Sequence, residues 1–418
     1  MRILNPRPSL AAALTVLLSC VPSVRGDLSA AVQVTAADLA SVVLVAIAVL
    51  IVKPATLPAR VLVLAPVAGA VAIATLASPD AMVSLPGYVR YIQVFVLVPL
   101  AVLATVRDRT DILIVGGSLV GVAALQGLVG CVQVLTGNGA SYAGEPVRAV
   151  GTFGALDVMG MANVVGYGTI ILLSVGLALR GRARAAALGG AALLCVPLAL
   201  SLSRGAWLAL LGASLAVLFL RNRALAARVV LLGAVAAVAL ALGPGTGSDL
   251  LERRVTSITS AATQPDQSVN DRYHLWLAAT DMWLDRPLTG VGPRRFARLR
   301  DTYAPIGLST GSDTDDPVNG YRRQPLLSPH NMYLLTLSEQ GLIGLSAFGA
   351  FLACMARWAV RGRTLTAVGL LAWQIIAFAY GDIGGPATPV MSVVLGLVLT
   401  LVARPGVLAP DPVQRALR

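Results

Sequence analysis

The chain has 418 residues, is 56% hydrophobic and only 12% charged, with a mean hydropathy of +0.79 and a formal net charge of +12. An ordinary soluble domain is about 25% charged, so this chain cannot cover itself with water-compatible surface and its solvent must be lipid. Of its 32 basic residues only Lys53 is a lysine, and the arginines are dispersed between apolar runs, which argues against a nucleic-acid-binding face.

Apolar runs of spanning length fall at 10–24, 36–52, 61–77, 89–106, 112–135, 159–179, 185–203, 206–220, 229–243, 331–356, 365–382 and 387–403. About 20 residues cross the hydrocarbon as a helix. The expected fold is therefore all-α: a polytopic integral membrane protein of about 12 transmembrane helices, with one large, mostly helical extracytoplasmic loop. The expected units are an N-terminal bundle over 1–243, the loop over 244–330, three further helices over 331–404 and a tail over 405–418. The first run resembles a signal peptide, since Arg2 and Arg7 precede it and Leu17-Leu18-Ser19-Cys20 is like a lipobox. No small-x-small cleavage site follows, and Pro22 comes close behind, so the run is expected to be retained.

Orientation follows from the basic residues of the short loops. Loops after the even-numbered runs carry Lys53 and twelve arginines, among them Arg60, Arg107, Arg109 and Arg361, against Asp108 and Asp111. Those on the other side carry Arg25, Arg90, Arg148 and Arg204 against Asp27, Asp80, Glu145, Asp157 and Asp382. The base-rich side is expected to be cytoplasmic. Arg2, Arg7, Arg404, Arg415 and Arg418 then put both termini inside, in the cytoplasmic membrane, and the large loop outside. Cys20, Cys131, Cys195 and Cys354 all lie in or beside apolar runs without a CxxC, and read as small core residues rather than disulfides or metal ligands.

The loop holds ten arginines and both histidines of the chain. Asn270 is a candidate N-cap, followed by Asp271 in the first turn. Tyr273, Trp276, Leu277, Thr280, Trp283 and Leu284 form a stripe at helical spacing. Pro287 ends that helix and Thr289-Gly290-Val291-Gly292 makes a turn. A second helix is expected from Arg294 to Tyr303, opened by Pro293, with Phe296 and Leu299 on one side. Gly307 to Pro325 reads as irregular. Asp313, Asp315 and Asp316 lack EF-hand spacing, so no metal is expected.

The candidate chemistry sits on the outer side. Arg90, Arg148, Arg204 and Arg272 lie at helix ends or loop edges. A guanidinium is permanently charged and binds phosphate oxygens bidentately, so such a cluster suits phosphate or pyrophosphate. Snorkelling to headgroups competes with that reading, most of all for Arg90 and Arg148. His330 stands between the loop and an apolar helix, where an imidazole near neutral pKa can act as a base. Asn331 beside it can orient a substrate hydroxyl or the ring. His274, among the aromatic stripe, reads as structural. Glu339 is costly in lipid and should face inward and pair, for example with an arginine of the cluster. Asp382 reads similarly, and Asp38 reads as interfacial.

At these residues the sequence resembles the O-antigen ligase/polymerase family of bacterial membrane glycosyltransferases. The stretches that carry the likeness are Arg148-Ala-Val-Gly151-Thr152-Phe153-Gly154, then Leu202-Ser203-Arg204-Gly205-Ala206-Trp207. Next come Asn270-Asp271-Arg272 with Trp276, Pro287-Leu-Thr-Gly290-Val-Gly292 with Phe296, Ser328-Pro-His330-Asn331, and Glu339-Gln-Gly341-Leu-Ile-Gly344. Ala155-Leu156-Asp157 departs from a Pro-Asn pair frequent in the family, and no role is carried over there. The resemblance implies transfer of a glycan from a polyprenyl-pyrophosphate (undecaprenyl pyrophosphate-type) carrier to an acceptor hydroxyl on a glycan, lipid or protein. That is a step of cell-envelope polysaccharide biosynthesis, without cofactor or metal. It also implies that His330 is catalytic and that Arg204 and Arg272 hold the pyrophosphate, with Arg90 or Arg148 beside them. A polymerase or a protein O-glycosyltransferase shares this chemistry. A transporter or flippase of lipid-linked sugars is the reading from another class, but transporters usually show repeated halves and no repeat is visible here.

Overall fold

The computed structural model describes residues 7–22, 34–53, 56–142, 147–154, 157–242, 267–316, 320–404 and 406. Arg2, Arg25, Asp27, Glu145, Ala155, Leu156, Arg415 and Arg418, the start of the large loop and the C-terminal tail lie outside the described residues.

Each apolar run coincides with helix. The N-terminal part comprises α1 (Ser9–Leu18), α2 (Ala36–Ile51), α3 (Leu64–Leu76), α4 (Ala81–Ile92), α5 (Val98–Thr105) and α6 (Arg109–Leu135). It continues through α7 (Val158–Ala178), α8 (Gly181–Leu200), α9 (Arg204–Arg221) and α10 (Arg223–Leu242). The loop contributes α11 (Gln267–Asp285) and α12 (Phe296–Tyr303); α13 (Met332–Arg361), α14 (Leu365–Ala377) and α15 (Thr388–Ala403) close the chain. Among the described residues, seven helices are long and apolar enough to cross a membrane, and α1, α2, α14 and α15 are shorter apolar helices. α4 and α5 form one such span, Ala81–Thr105, joined by a π turn at Gln93–Leu97. Pro99 lies just beyond that turn and has no N–H to continue the ladder.

α15 is apolar all round and buried along almost its whole length, so it is the axis of the bundle. Beside it, Phe348 packs edge-on against Phe95 at 5.3 Å and Phe378 at 5.4 Å, joining α13, the π turn and the end of α14. Large apolar side chains remain exposed on the outer helices, such as Leu50 at 85% and Leu76 at 81%. Lipid is the solvent that suits such a surface.

The bundle has two chemically distinct ends. At one, Arg7 pairs with Asp108 at 2.7 Å, Arg404 donates to the Val106 carbonyl at 2.9 Å, Arg60 donates to the Val402 carbonyl and Arg363 to the Leu220 carbonyl at 3.1 Å. The loop helices and His330 lie at the other.

The loop differs from expectation in four respects. α11 begins at Gln267, so Asn270 is inside the helix rather than its cap. Its buried face is Leu275, Ala278, Ala279 and Met282, whereas Tyr273 (56%) and Leu284 (59%) are exposed. The small alanines let the helix approach its neighbours closely, which the aromatic stripe does not. α12 begins at Phe296 because Arg294 is left-handed (φ 63°); Phe296 is buried against Leu275, Ala279 and Met282, with Leu299 packed on them. The stretch read as irregular contains an antiparallel hairpin, β2 (Ser312–Asp316) with β3 (Gly320–Gln324), and β2 also pairs with β1 (Ser141–Tyr142). The expectation of all-α structure therefore needs this small sheet added. Its strands are polar and carry no apolar alternation by which sequence could reveal them.

Candidate active site

α13 is broken at Gly341, whose backbone (φ 64°, ψ −163°) lies in a region open essentially to glycine alone. The break frees backbone groups that the segment after α11 takes up. The N–H groups of Val291 and Gly292 donate to the carbonyls of Ser338 (2.9 Å) and Glu339 (3.0 Å), and those of Leu342 and Ile343 donate to Pro287 (2.8 Å) and Leu288 (3.1 Å). Two of the sequence stretches singled out above thus form one joint, which docks the loop onto the spanning helix.

Glu339 belongs to this joint. Its carboxylate is 8% exposed and accepts the Phe296 N–H at 3.1 Å, at the N-terminus of α12. A carboxylate there complements the helix dipole. The pairing expected with the arginine cluster is replaced by this capping contact.

His330 stands at the entrance to α13 in a left-handed conformation (φ 48°), a costly one for a side chain with a Cβ. The turn is over-determined by its neighbours. The His330 N–H donates to Ser328 Oγ at 3.3 Å, and Ser328 Oγ in turn donates to Asp382. Trp276 Nε1 donates to the Pro329 carbonyl at 2.9 Å. The Met332 N–H reaches the carbonyls of Phe378 (2.8 Å) and Gly381 (3.1 Å). Asn331 Oδ1 accepts from the N–H groups of Tyr333 (3.0 Å) and Leu334 (3.1 Å), so that oxygen caps α13 rather than orienting the ring.

Burial pulls the His330 imidazole below its ordinary pKa; Asp382 opposes that shift and Arg272 adds to it. The ring is therefore neutral at pH 7 and able to accept a proton, with Arg272 and Asp382 both within electrostatic reach.

Arg204 opens α9 after Ser203, whose hydroxyl caps the helix by accepting the Ala206 N–H at 3.3 Å. The neighbouring Gly205 packs on Tyr380, to which an added Cβ would come within 2.8 Å. Arg204 thereby lies beside the α14–α15 connection that carries Asp382. Arg148 sits on a bridge with Ala140, and the next N–H, of Ala149, donates to Leu200 at the end of α8 at 3.1 Å. Arg90 is placed differently. It forms an ion pair with the buried Asp38, which is itself held in the capping box of α2. His274 lies against Gly307 of the loop.

Two partners were not visible in sequence. Ser328 was noted only within its motif, yet it links His330 to a carboxylate 54 residues away. Asp157, given no role, accepts the Ala387 N–H at 3.3 Å and lies within electrostatic reach of Asp382. Burial pushes its carboxyl up to about 6; the N–H groups of Ala387 and Gly160 oppose the shift and Asp382 adds to it. A position at the α7 N-terminus was the only sequence signal available for it.

Residues 189–349 match the O-antigen ligase family model. The resemblance read from the motifs is borne out over that stretch, which contains Arg204, Arg272, His330, Asn331, Glu339 and the Gly341 break. The family is one of membrane enzymes of the glycosyltransferase type, acting on lipid-linked glycans. Arg90, Arg148, Asp157 and Asp382 lie outside the matched stretch. No curated protein matches the chain.

Proposed function

We propose that this O-antigen ligase-like chain moves a glycan from a polyprenyl-pyrophosphate carrier to an acceptor hydroxyl, on the outer face of the cytoplasmic membrane. The observation that carries the reading is the strained His330 turn inside the matched domain, clamped through Ser328 to Asp382, with Arg272 within electrostatic reach.

The chemistry follows from these groups. His330 accepts the proton of the acceptor hydroxyl as that oxygen attacks the anomeric carbon. The bond from the anomeric carbon to the pyrophosphate oxygen breaks, and the electron pair leaves with the pyrophosphate. Arg204 and Arg272, with Arg148 nearby, hold that leaving group, and fixed guanidinium charges at the edge of lipid stabilise its developing charge. Displacement in line inverts the anomeric centre. The apolar helices hold the carrier's tail, and no metal or cofactor is required. Arg90, Asn331 and Glu339 act by holding helices and loop in register.

The test is release of free polyprenyl pyrophosphate from a polyprenyl-pyrophosphate-linked oligosaccharide by purified protein in nanodiscs, with and without acceptor. Release should require both acceptor and His330. Undiminished turnover by His330→Ala removes the general-base assignment. Movement of intact lipid-linked sugar without product replaces transfer by transport. The acceptor that supports release separates ligation from polymerisation.

A further inference from the structure

The end of the bundle remote from His330 carries a second polar site. α13 runs from just after His330 to Arg361, roughly 45 Å at 1.5 Å per residue. There the chain turns through Gly362 and Arg363 (φ 51°) into α14. Between this turn, the 3-10 helix Ala59–Val63 and the end of α15 lies a cavity of about 260 Å³, lined by Arg60, Trp358, Arg361, Thr364, Leu401 and Val402. One water occupies about 30 Å³ of liquid, so the cavity has room for a phosphate ester.

Its lining is suited to an anion with an apolar neighbour. The Arg60 guanidinium stacks 5.3 Å from the Trp358 ring centre and donates to the Val402 carbonyl. Those contacts fix its position without neutralising it, since neither partner carries net charge. Arg361 adds a second guanidinium at the exposed rim, and among the described residues no acidic side chain lines the cavity. Thr364 makes no side-chain cap at the start of α14, so the positive end of that helix adds to the field. Trp358, Leu401 and Val402 supply an apolar wall. An indole beside guanidinium groups at the end of apolar helices is the arrangement expected where a bilayer meets its headgroups.

We propose that this cavity binds a phosphate group, carried by an anionic phospholipid of the leaflet at that end of the bundle. The lipid phosphate lies between Arg60 and Arg361, and its acyl chains follow the apolar wall beside Leu401. The site is independent of the transfer chemistry and would bind whether or not His330 is catalytic.

The experiment uses the full chain in nanodiscs of phosphatidylcholine containing a minor fraction of phosphatidylglycerol. Native mass spectrometry counts the phosphatidylglycerol retained on release. The wild type should retain it, and Arg60→Gln/Arg361→Gln should retain at least about fivefold less. Arg361→Gln alone, at an exposed position, leaves the Arg60–Val402 contact intact and should still lower retention at least about twofold. Unchanged retention in Arg361→Gln and in the double variant overturns the proposal. Arg184→Gln, outside the cavity at the same end, should have no effect; an equal loss there means diffuse attraction and also overturns it. A Tm rise with inorganic phosphate in pure phosphatidylcholine, equal to that with phosphatidylglycerol, keeps the phosphate site and rejects the lipid as its source.

Discussion

Ser328 and Asp382, 54 residues apart, are joined by a hydrogen bond from the serine hydroxyl to the carboxylate, and the same hydroxyl accepts the backbone N–H of His330. One side chain thus ties the strained turn before α13 to the connection between α14 and α15. Removing it should act on the orientation of His330 rather than on the ring's chemistry. Ser328→Ala should lower kcat roughly 10- to 100-fold, the range for losing a hydrogen bond to a charged group, with KM for the lipid-linked donor little changed. Steady-state kinetics in nanodiscs checks this; a change confined to KM contradicts the positioning role.

The same neighbours set the pH dependence. Burial and Arg272 hold the imidazole below its ordinary 6.5, against Asp382. The base must be neutral to act, so activity should persist below pH 6.5 before its acid limb appears. Asp382→Asn removes the influence that raises the pKa and should move that limb further down. Arg272→Gln removes one that lowers it and should move the limb up. Limbs of kcat/KM that move in the opposite directions would sink the electrostatic assignment.

The joint at the α13 break is a structural prediction. Gly341 has φ 64°, and an added Cβ would come within 2.3 Å of the Leu288 carbonyl carbon. Gly341→Ala combines backbone strain of about 1–3 kcal/mol with the loss of up to four backbone hydrogen bonds between loop and helix. The variant should show a lower Tm and faster proteolysis within the loop. Wild-type Tm and proteolysis would mean that the loop docks by other contacts.

Much of the fold was legible because lipid imposes a simple rule. A spanning segment must be apolar and internally hydrogen-bonded, so run length alone located helix at every expected place. Pro287 and the Gly290–Gly292 turn were legible for a similar reason, being backbone requirements written in single residues. Contacts between distant segments were not legible. Arg90 reads as a free outer arginine until Asp38 is found beside it, and Glu339 reads as a partner for arginine until the Phe296 N–H is found. β2 was hidden because Ser312-Asp-Thr-Asp-Asp316 carries no apolar alternation. The aromatic stripe of α11 misled because bulk was taken for burial, whereas Ala278 and Ala279 let the helix approach closely.

The arginines separate by partner. Arg90 neutralises the buried Asp38, so Arg90→Ala strands a carboxylate and should cost stability, about 3 kcal/mol or more for a pair of this kind. Arg272→Lys should reduce turnover, because an ammonium cannot grip pyrophosphate bidentately. Thermal unfolding and donor turnover on both variants test the distinction. A stable Arg90→Ala with lost turnover would place Arg90 in the substrate site instead.

Asp157 offers a stability test independent of catalysis. Its carboxyl is raised from 3.8 to about 6, chiefly by burial, with Asp382 adding to the shift. A raised folded-state pKa means that the native protein holds a proton which the unfolded chain has lost. The stabilising contribution is fully present below about pH 4 and disappears as pH rises through about 6. At neutral pH the native state therefore carries a penalty of the order of 1–3 kcal/mol. Asp157→Asn keeps an oxygen for the Ala387 N–H and removes the ionisable group. Its Tm should exceed the wild type's at pH 7 and converge on it near pH 4, which a thermal scan across that range reads directly. A constant Tm difference at every pH would mean that Asp157 acts only through its hydrogen bonds.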